Sequence, residues 1–128
     1  MSATIFAILI LVASANARPD TTVALSACNL YSYSNSDPFA DSYAYVINDL
    51  QNVTPNHDNF DYYMKSPYQN NAVAYGHGKC NAAMSPADCV TCIISARAAL
   101  EGQCLNSYGG RLVMVDCMLR YEAYQFTD

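Results

Sequence analysis

Basic residues are scarce in this chain of 128 residues: six lysines and arginines stand against eleven acidic residues, and the formal net charge is -5. A nucleic-acid binder needs a basic face that neutralises phosphates, and a protein attracted to anionic lipid needs one as well. The charge therefore argues against both classes. Charged residues are few overall, at 13%, whereas 52% of the chain is hydrophobic, which argues against a disordered chain. The length suits one domain.

Several motifs that carry chemistry are absent. The sequence contains no GxSxG, no HExxH, no glycine-rich phosphate loop and no EF-hand pattern. If every cysteine is oxidised, the two histidines, His57 and His77, have no thiolate nucleophile to activate. We therefore expect a protein that is not an enzyme and that has no cofactor and no metal site.

Long apolar runs are also missing, and the one apolar block is at the start of the chain. Residues 5–13 form a block of nine, too short for the roughly 20 residues that span a bilayer. Ala15-Asn16-Ala17 then has the small-x-small pattern of a cleavage site. A buried N-terminal strand is the alternative interpretation. The pattern predicts a signal peptide over residues 1–17 and a single secreted, extracellular domain over residues 18–128.

The cysteine count fits this route of export. An even number of cysteines in an oxidising compartment predicts three disulfides, in one of 15 possible pairings. A thioredoxin-type redox site at Cys89-Val90-Thr91-Cys92 would need a βαβ context, and a zinc site would need a second close pair of ligands; neither context is present. The six cysteines are Cys28, Cys80, Cys89, Cys92, Cys104 and Cys117.

Helix signals and strand patterns alternate along the chain. Asp37-Pro38 has the N-cap and first-turn residues of a helix that Pro55 ends, and Ser85-Pro86 begins a second helix that runs to about Glu101. Gly109-Gly110 is predicted as a turn. The predicted strands are residues 22–27, 61–64, 72–80, 111–115 and 118–126. This order predicts an α+β domain in which two helices cover one face of an antiparallel sheet.

The spacing Cys80-x8-Cys89-x2-Cys92 resembles the signature of the plant cysteine-rich secretory domain of ginkbilobin-type antifungal proteins. The same domain occurs in tandem in the ectodomains of cysteine-rich receptor-like kinases and plasmodesmata-located proteins. The resemblance covers essentially all of residues 18–128. Its other matching segments are Ser26-Ala27-Cys28-Asn29, Ala74-Tyr75-Gly76, Ser85-Pro86-Ala87-Asp88-Cys89, Gly110-Arg111-Leu112 and Arg120-Tyr121-Glu122.

This resemblance implies a fold, a disulfide pairing and a ligand. The fold is two helices packed on a five-stranded antiparallel sheet. The ligand is mannose, bound by a secreted plant defence protein of the apoplast that inhibits fungal growth. The family's sugar contacts correspond to Asn29, Arg111 and Glu122. The implied disulfides are Cys28–Cys104, Cys80–Cys89 and Cys92–Cys117.

The three implied sugar contacts make chemical sense together. A carboxylate accepts hydrogen bonds from hydroxyls, a guanidinium donates along a rigid fork, and an amide does both. If Asp116-Cys117 forms the tip of a two-residue hairpin, Arg111 lies directly opposite Glu122. The simpler interpretations are a cross-strand ion pair between Arg111 and Glu122, and a turn-capping amide at Asn29. Three tyrosines are candidates to stack on a sugar: Tyr31, Tyr121 and Tyr124.

Three functions remain to be distinguished. The first is a mannose-binding antifungal lectin, whose partners are mannose-containing glycans of a fungal wall. The second is an extracellular interaction module that binds plant receptor ectodomains, since tyrosine, present eleven times, favours interfaces. The third is a redox protein that uses Cys89 and Cys92. The low positive charge argues against membrane insertion in each case. The only glycosylation sequon, at Asn52, is followed by a proline that disfavours its use.

Overall fold

A computed structural model describes residues 18–68 and 72–128. The predicted signal peptide, residues 1–17, lies outside the described residues. In chain order the elements are strand β1 (Val23–Cys28), helix α1 (Pro38–Val53), strands β2 (Asp61–Lys65) and β3 (Tyr75–Cys80), helix α2 (Pro86–Gln103), and strands β4 (Gly109–Met114) and β5 (Cys117–Glu122). Two short 3-10 turns, Thr54–Asn56 and Asp58–Phe60, connect α1 to β2.

Both helices begin where the sequence predicts. The Asp37 side chain accepts a hydrogen bond from the Phe39 amide at 2.9 Å, and Pro38 follows as the first helical residue. At α2 the Ser85 hydroxyl accepts from the Asp88 amide at 3.1 Å. Each cap satisfies an amide that the first turn of a helix leaves without a partner, so both starts depend on local sequence alone.

The five strands form one antiparallel sheet in the order β1-β4-β5-β3-β2. Helix α2 packs over β4 and β5, and α1 packs over β2 and β3, both on the same face. Because strand side chains alternate, Leu119 and Tyr121 of β5 are buried against the helices, whereas Arg120 and Glu122 are on the other face. The predicted fold class, two helices on a five-stranded antiparallel sheet with three disulfides, is confirmed.

All three disulfides attach α2 to the sheet. Cys28–Cys104 joins the end of β1 to the end of the helix, Cys80–Cys89 joins the end of β3 to its first turns, and Cys92–Cys117 joins its middle to β5. These are the pairs that the family resemblance implies. Cys89 and Cys92 are thus each bonded to a cysteine outside the motif, so the motif is not a dithiol in this structure and the redox interpretation is wrong.

The register of the last hairpin differs from the prediction. Its tip is Val115-Asp116, not Asp116-Cys117, so Arg111 is paired with Arg120, and Glu122 with Gly109. The Asp116 amide donates to the Asp20 carbonyl at 3.2 Å, and its carbonyl accepts from the Asn81 amide at 2.8 Å. These bonds hold Asp116 in the turn, while Cys117 lies opposite Cys80 in the sheet. The pairing moves by two residues, an even number, so the side chains of Arg111 and Glu122 stay on the predicted face of the sheet.

Several strand boundaries also differ from the prediction, and β3, predicted from residue 72, begins at Tyr75. Gly109-Gly110, predicted as a turn, begins β4, because β1 pairs with it through Cys28 and Gly110. β5 ends at Glu122, where residues up to Phe126 were predicted to continue. Residues 123–128 instead turn back over the face of the sheet that the helices leave open, which we call the open face. Within the two described ranges, no helix is long and apolar enough to cross a membrane.

Candidate functional site

The open face carries a cavity of about 300 Å³ above the end of β1 and the neighbouring strands β4 and β5. Asn29, Arg111 and Glu122, the three residues predicted as sugar contacts, all line it. The hairpin register brings Glu122 beside Gly109, and the backbone amide of Asn29 donates to the Gly109 carbonyl at 2.8 Å. Residues far apart in the sequence therefore meet at this point through strand pairing.

Glu122 forms the negative end of the cavity. Its side chain is only 11% exposed, and its Oε2 accepts a hydrogen bond from the Arg120 Nε at 2.9 Å. Oε1 lies against Gly109, in the space that the β-carbon of any other residue would occupy. Among the described residues Oε1 has no hydrogen-bond donor, so this oxygen can accept from a ligand hydroxyl.

Arg120 also lines the cavity, and the sequence analysis did not name it as a contact residue. Its guanidinium donates to Glu122 and, through Nη1, to Asp128 Oδ1 at 2.6 Å, and it lies 4.0 Å from the centre of the Phe126 ring. Burial alone lowers the pKa of Arg120, but the hydrogen bonds to the two carboxylates raise it on balance, so the group stays charged. Strand alternation could have identified it, because it is two residues before Glu122 on the same face.

Arg111 contributes the positive side of the cavity. Its side chain is 42% exposed, and its closest anion is Asp128, whose Oδ1 lies 3.9 Å from Nη2. The buried Nε atom has no hydrogen-bond partner among the described residues. The cross-strand ion pair with Glu122 that the simpler interpretation predicts is not formed, because Arg120 occupies that carboxylate instead. The guanidinium therefore has donors available for a ligand.

Asn29 has the structural role that its simpler interpretation predicts. Its Oδ1 accepts a hydrogen bond from the Tyr31 amide at 2.8 Å, which closes an Asx turn directly after β1. This bond fixes the side chain and uses the oxygen only, so the Nδ2 group remains a donor. The turn and a ligand contact are compatible at this position.

Only one of the three candidate tyrosines lines the cavity. Tyr124 does so, at 53% exposure. Tyr121 is on the helix side of β5, where its ring packs edge-on against Tyr43 and its hydroxyl donates to the Ser107 carbonyl at 2.8 Å. Its prediction as a stacking residue is wrong because β5 alternates. Tyr31 is 76% exposed but is not part of the cavity wall.

A chain of hydrogen-bonded side chains supports the cavity from beside it. The buried His77 ring is hydrogen-bonded at both nitrogens, Nε2 to Asp61 at 2.6 Å and Nδ1 to Asp128 at 2.7 Å, and the Tyr63 ring is stacked on it. Burial alone raises the pKa of the Asp128 carboxyl, but hydrogen bonds from His77 and Arg120 lower it on balance. Asp128 thereby holds residues 123–128 against the open face.

Comparison with known proteins assigns the chain to a family. The family model described as "Salt stress response/antifungal" matches residues 20–124. The chain belongs to the salt stress response/antifungal family. Antifungal protein ginkbilobin-like protein 1 of Picea sitchensis is 31% identical over 121 residues, which cover 94% of this chain and 90% of that protein. Antifungal protein ginkbilobin-2 of Ginkgo biloba is also 31% identical over 121 residues, which cover 94% of this chain and 87% of that protein.

A solved structure of an ectodomain has the same fold as this chain. The tandem DUF26 ectodomain of the Arabidopsis thaliana cysteine-rich receptor-like protein PDLP5 superposes with a TM-score of 0.76 at 24% identity. The match covers 82% of this chain and 51% of that one. The chain thus spans about half the length of that ectodomain. The family is the one shared with these antifungal proteins, and the fold is shared with this ectodomain.

Proposed function

We propose that this protein is a secreted defence protein that binds mannose-containing glycans of fungal walls through the cavity of Asn29, Arg111 and Glu122. The observation that carries the proposal is that these three side chains line one cavity. The names of the relatives, which describe antifungal proteins, support the defence role. Secretion rests on the predicted signal peptide, and the mass of the exported chain tests it: cleavage after Ala17 gives a protein that begins at Arg18.

The cavity supplies the donors and acceptors that a hexose needs. Glu122 Oε1 accepts from a hydroxyl, the Arg111 guanidinium and the Asn29 amide donate, and the Tyr124 ring offers an apolar face. Arg120 compensates the charge of Glu122, which lowers the cost of keeping that carboxylate poorly solvated. A monosaccharide held by a few exposed hydrogen bonds of ~1 kcal/mol each binds in the millimolar range. Repeated sugars on a wall would raise the avidity.

A titration with mannose tests the proposal. We expect mannose to shift amide NMR signals of wild-type protein with millimolar affinity, and the substitution Glu122→Gln to weaken binding roughly tenfold or more, because a charge-assisted hydrogen bond is lost. Asp58→Asn, which changes an exposed carboxylate on the Asp58–Phe60 turn, is the matched control and keeps wild-type affinity. Thermal melts establish that each variant is folded. Equal binding by wild type and Glu122→Gln, or no binding by either, contradicts the proposal.

A second candidate function is an interaction module for receptor ectodomains. Three large apolar side chains, Leu30, Tyr31 and Leu105, are 95%, 76% and 75% exposed. They flank the bridge between Ser32 and Ser107, so they belong to neighbouring loops. An apolar patch of this kind favours protein contacts.

A pull-down with purified ectodomains of the same family separates the two functions. An interaction module retains its partner in excess mannose and with Glu122→Gln, and loses it with Leu30→Ser. A lectin that recognises glycans on the partner shows the reverse pattern.

A further inference from the structure

A second cavity, of about 400 Å³, is present on the open face beyond β5. Tyr63 and Lys65 of β2 and Tyr75 of β3 line it, together with Gln125, Phe126 and Thr127. Residues 123–128 contribute walls to both cavities, through Tyr124 in the first and Gln125 in the second. The second cavity has no part in the site described above.

The strand register joins the two cavities in one row. Gly109 is paired with Glu122, Glu122 with Tyr75, and Tyr75 with Lys65, so these four residues lie side by side across β4, β5, β3 and β2. Neighbouring strands lie about 4.8 Å apart, which puts the backbone of Tyr75 about 5 Å and that of Lys65 about 10 Å from Glu122. The second cavity therefore begins one strand away from the Glu122 carboxylate.

The wall of the second cavity suits a neutral ligand rich in hydroxyls. Its aromatic rings offer apolar faces, and its neutral polar groups, the Gln125 amide and the Thr127 hydroxyl, both donate and accept hydrogen bonds. Among the described residues that line it there is no carboxylate, which disfavours a cation, and Lys65 is the one cationic side chain, too little charge for a strong anion.

One wall of the second cavity is held rigid. The Tyr63 ring is stacked on His77 with 3.8 Å between the ring centres, and its hydroxyl accepts a hydrogen bond from the Asp128 amide at 2.9 Å. A ring fixed before the ligand arrives loses little conformational freedom on binding.

We propose that the second cavity is a saccharide subsite and that the natural ligand is an oligosaccharide, one unit of which occupies the Glu122 cavity while the next units reach Tyr75 and Gln125. This inference rests on the proposed function. It names the ligand class as a chain of hexoses instead of a terminal monosaccharide. The row of paired residues from Gly109 to Lys65 gives the direction in which that chain runs.

Titrations of mannose and of a mannotriose, followed by NMR, test this subsite. For wild-type protein we expect the trisaccharide to bind roughly tenfold more tightly than mannose, the gain that one or two further net hydrogen bonds supply. Tyr75→Ala and, independently, the exposed-site variant Gln125→Ala should reduce this gain and leave mannose affinity unchanged. Tyr45→Ala is the matched control, since this tyrosine is on α1 and is 41% exposed.

The outcomes separate this inference from the proposed function. The subsite is supported if wild-type protein binds mannotriose more tightly than mannose, if both variants reduce this difference in affinity, and if the Gln125 side-chain amide signals shift. Equal affinity for mannose and mannotriose, or a tighter binding of mannotriose that neither variant changes, overturns the subsite and leaves the proposed function standing. Absence of binding by both sugars overturns the proposed function and the subsite together.

Discussion

Glu122 has its two carboxylate oxygens in different environments. Oε2 is paired with Arg120, and Oε1 occupies the space above Gly109 where another residue would have its β-carbon. The orientation of the carboxylate therefore depends on a neighbour in its own strand and on a glycine in the next one. Neither dependence follows from the three predicted contact residues, because the sequence analysis paired Glu122 with Arg111.

The space above Gly109 gives a prediction about Gly109→Ala. The new methyl group would collide with Glu122 Oε1 and lie 3.3 Å from the Tyr121 carbonyl oxygen, so the carboxylate should turn away, with some loss of stability from its pair with Arg120. We expect mannose affinity to fall roughly tenfold, as for loss of a charge-assisted hydrogen bond. NMR titration and a thermal melt measure the two effects.

The matched control for this substitution is Gly102→Ala in α2, where a β-carbon meets nothing within 4 Å. It should bind mannose normally and gain up to about 1 kcal/mol of stability from helix propensity. Unchanged mannose binding by Gly109→Ala would show that the position of Oε1 is irrelevant to the ligand.

Asp128 gives a prediction about pH. Its carboxyl has an ordinary pKa of 3.8, and the folded protein lowers it through hydrogen bonds from His77 and Arg120, against the effect of burial. A lowered pKa stabilises the fold above the ordinary value, and that contribution disappears as the pH falls through the lowered pKa. Asp128→Asn should therefore be less stable than wild type above about pH 4, and the difference should shrink below it.

Urea unfolding of both proteins from pH 7 down to pH 2 measures this difference. Asp41→Asn, an exposed carboxylate of α1, provides the control curve. A difference between wild type and Asp128→Asn that stays constant over the whole range would contradict the assigned hydrogen bonds.

Among the elements, the helices were predictable and the last hairpin was not. Asp37-Pro38 and Ser85-Pro86 fix the helix starts through bonds within three residues of sequence, so no tertiary information is needed. The hairpin tip at Val115-Asp116 depends on bonds to Asp20 and Asn81, which are remote in sequence. Because hydrogen bonds to residues remote in sequence determine the position of this turn, the two turn residues alone do not predict it.

The packing of α1 on β3 gives a prediction about Gly76→Ala. A β-carbon there would lie 2.5 Å from Val46 Cγ1 and 3.0 Å from Leu50 Cδ1, so the helix would have to move. Overpacking of this kind costs about 1–3 kcal/mol. Urea unfolding should show that loss for Gly76→Ala, whereas Gly102→Ala shows none.

Val46→Ala removes one of the atoms in conflict. The double variant with Gly76→Ala should therefore lose less stability than the two single variants lose in sum, because the sites are in contact. Strict additivity would contradict the close approach of α1 to β3.

At the scale of the whole molecule, the three disulfides all hold one helix, α2, to the sheet, and residues 123–128 close part of the opposite face. The first feature was implied by the family resemblance. The second was not predicted, because those residues looked like a continuing strand, and the groups that hold them in place, His77 and Arg120, are on β3 and β5. The site is built on the face without helices, where the rigid sheet fixes its side chains.

The central claim is that the cavity of Asn29, Arg111 and Glu122 binds mannose, and NMR mapping tests it most directly. Backbone amide shifts recorded with saturating mannose should change most at residues 29, 109–111 and 120–124, and little on the helices. No shifts at saturating sugar, or shifts confined to surfaces away from this cavity, would contradict the account.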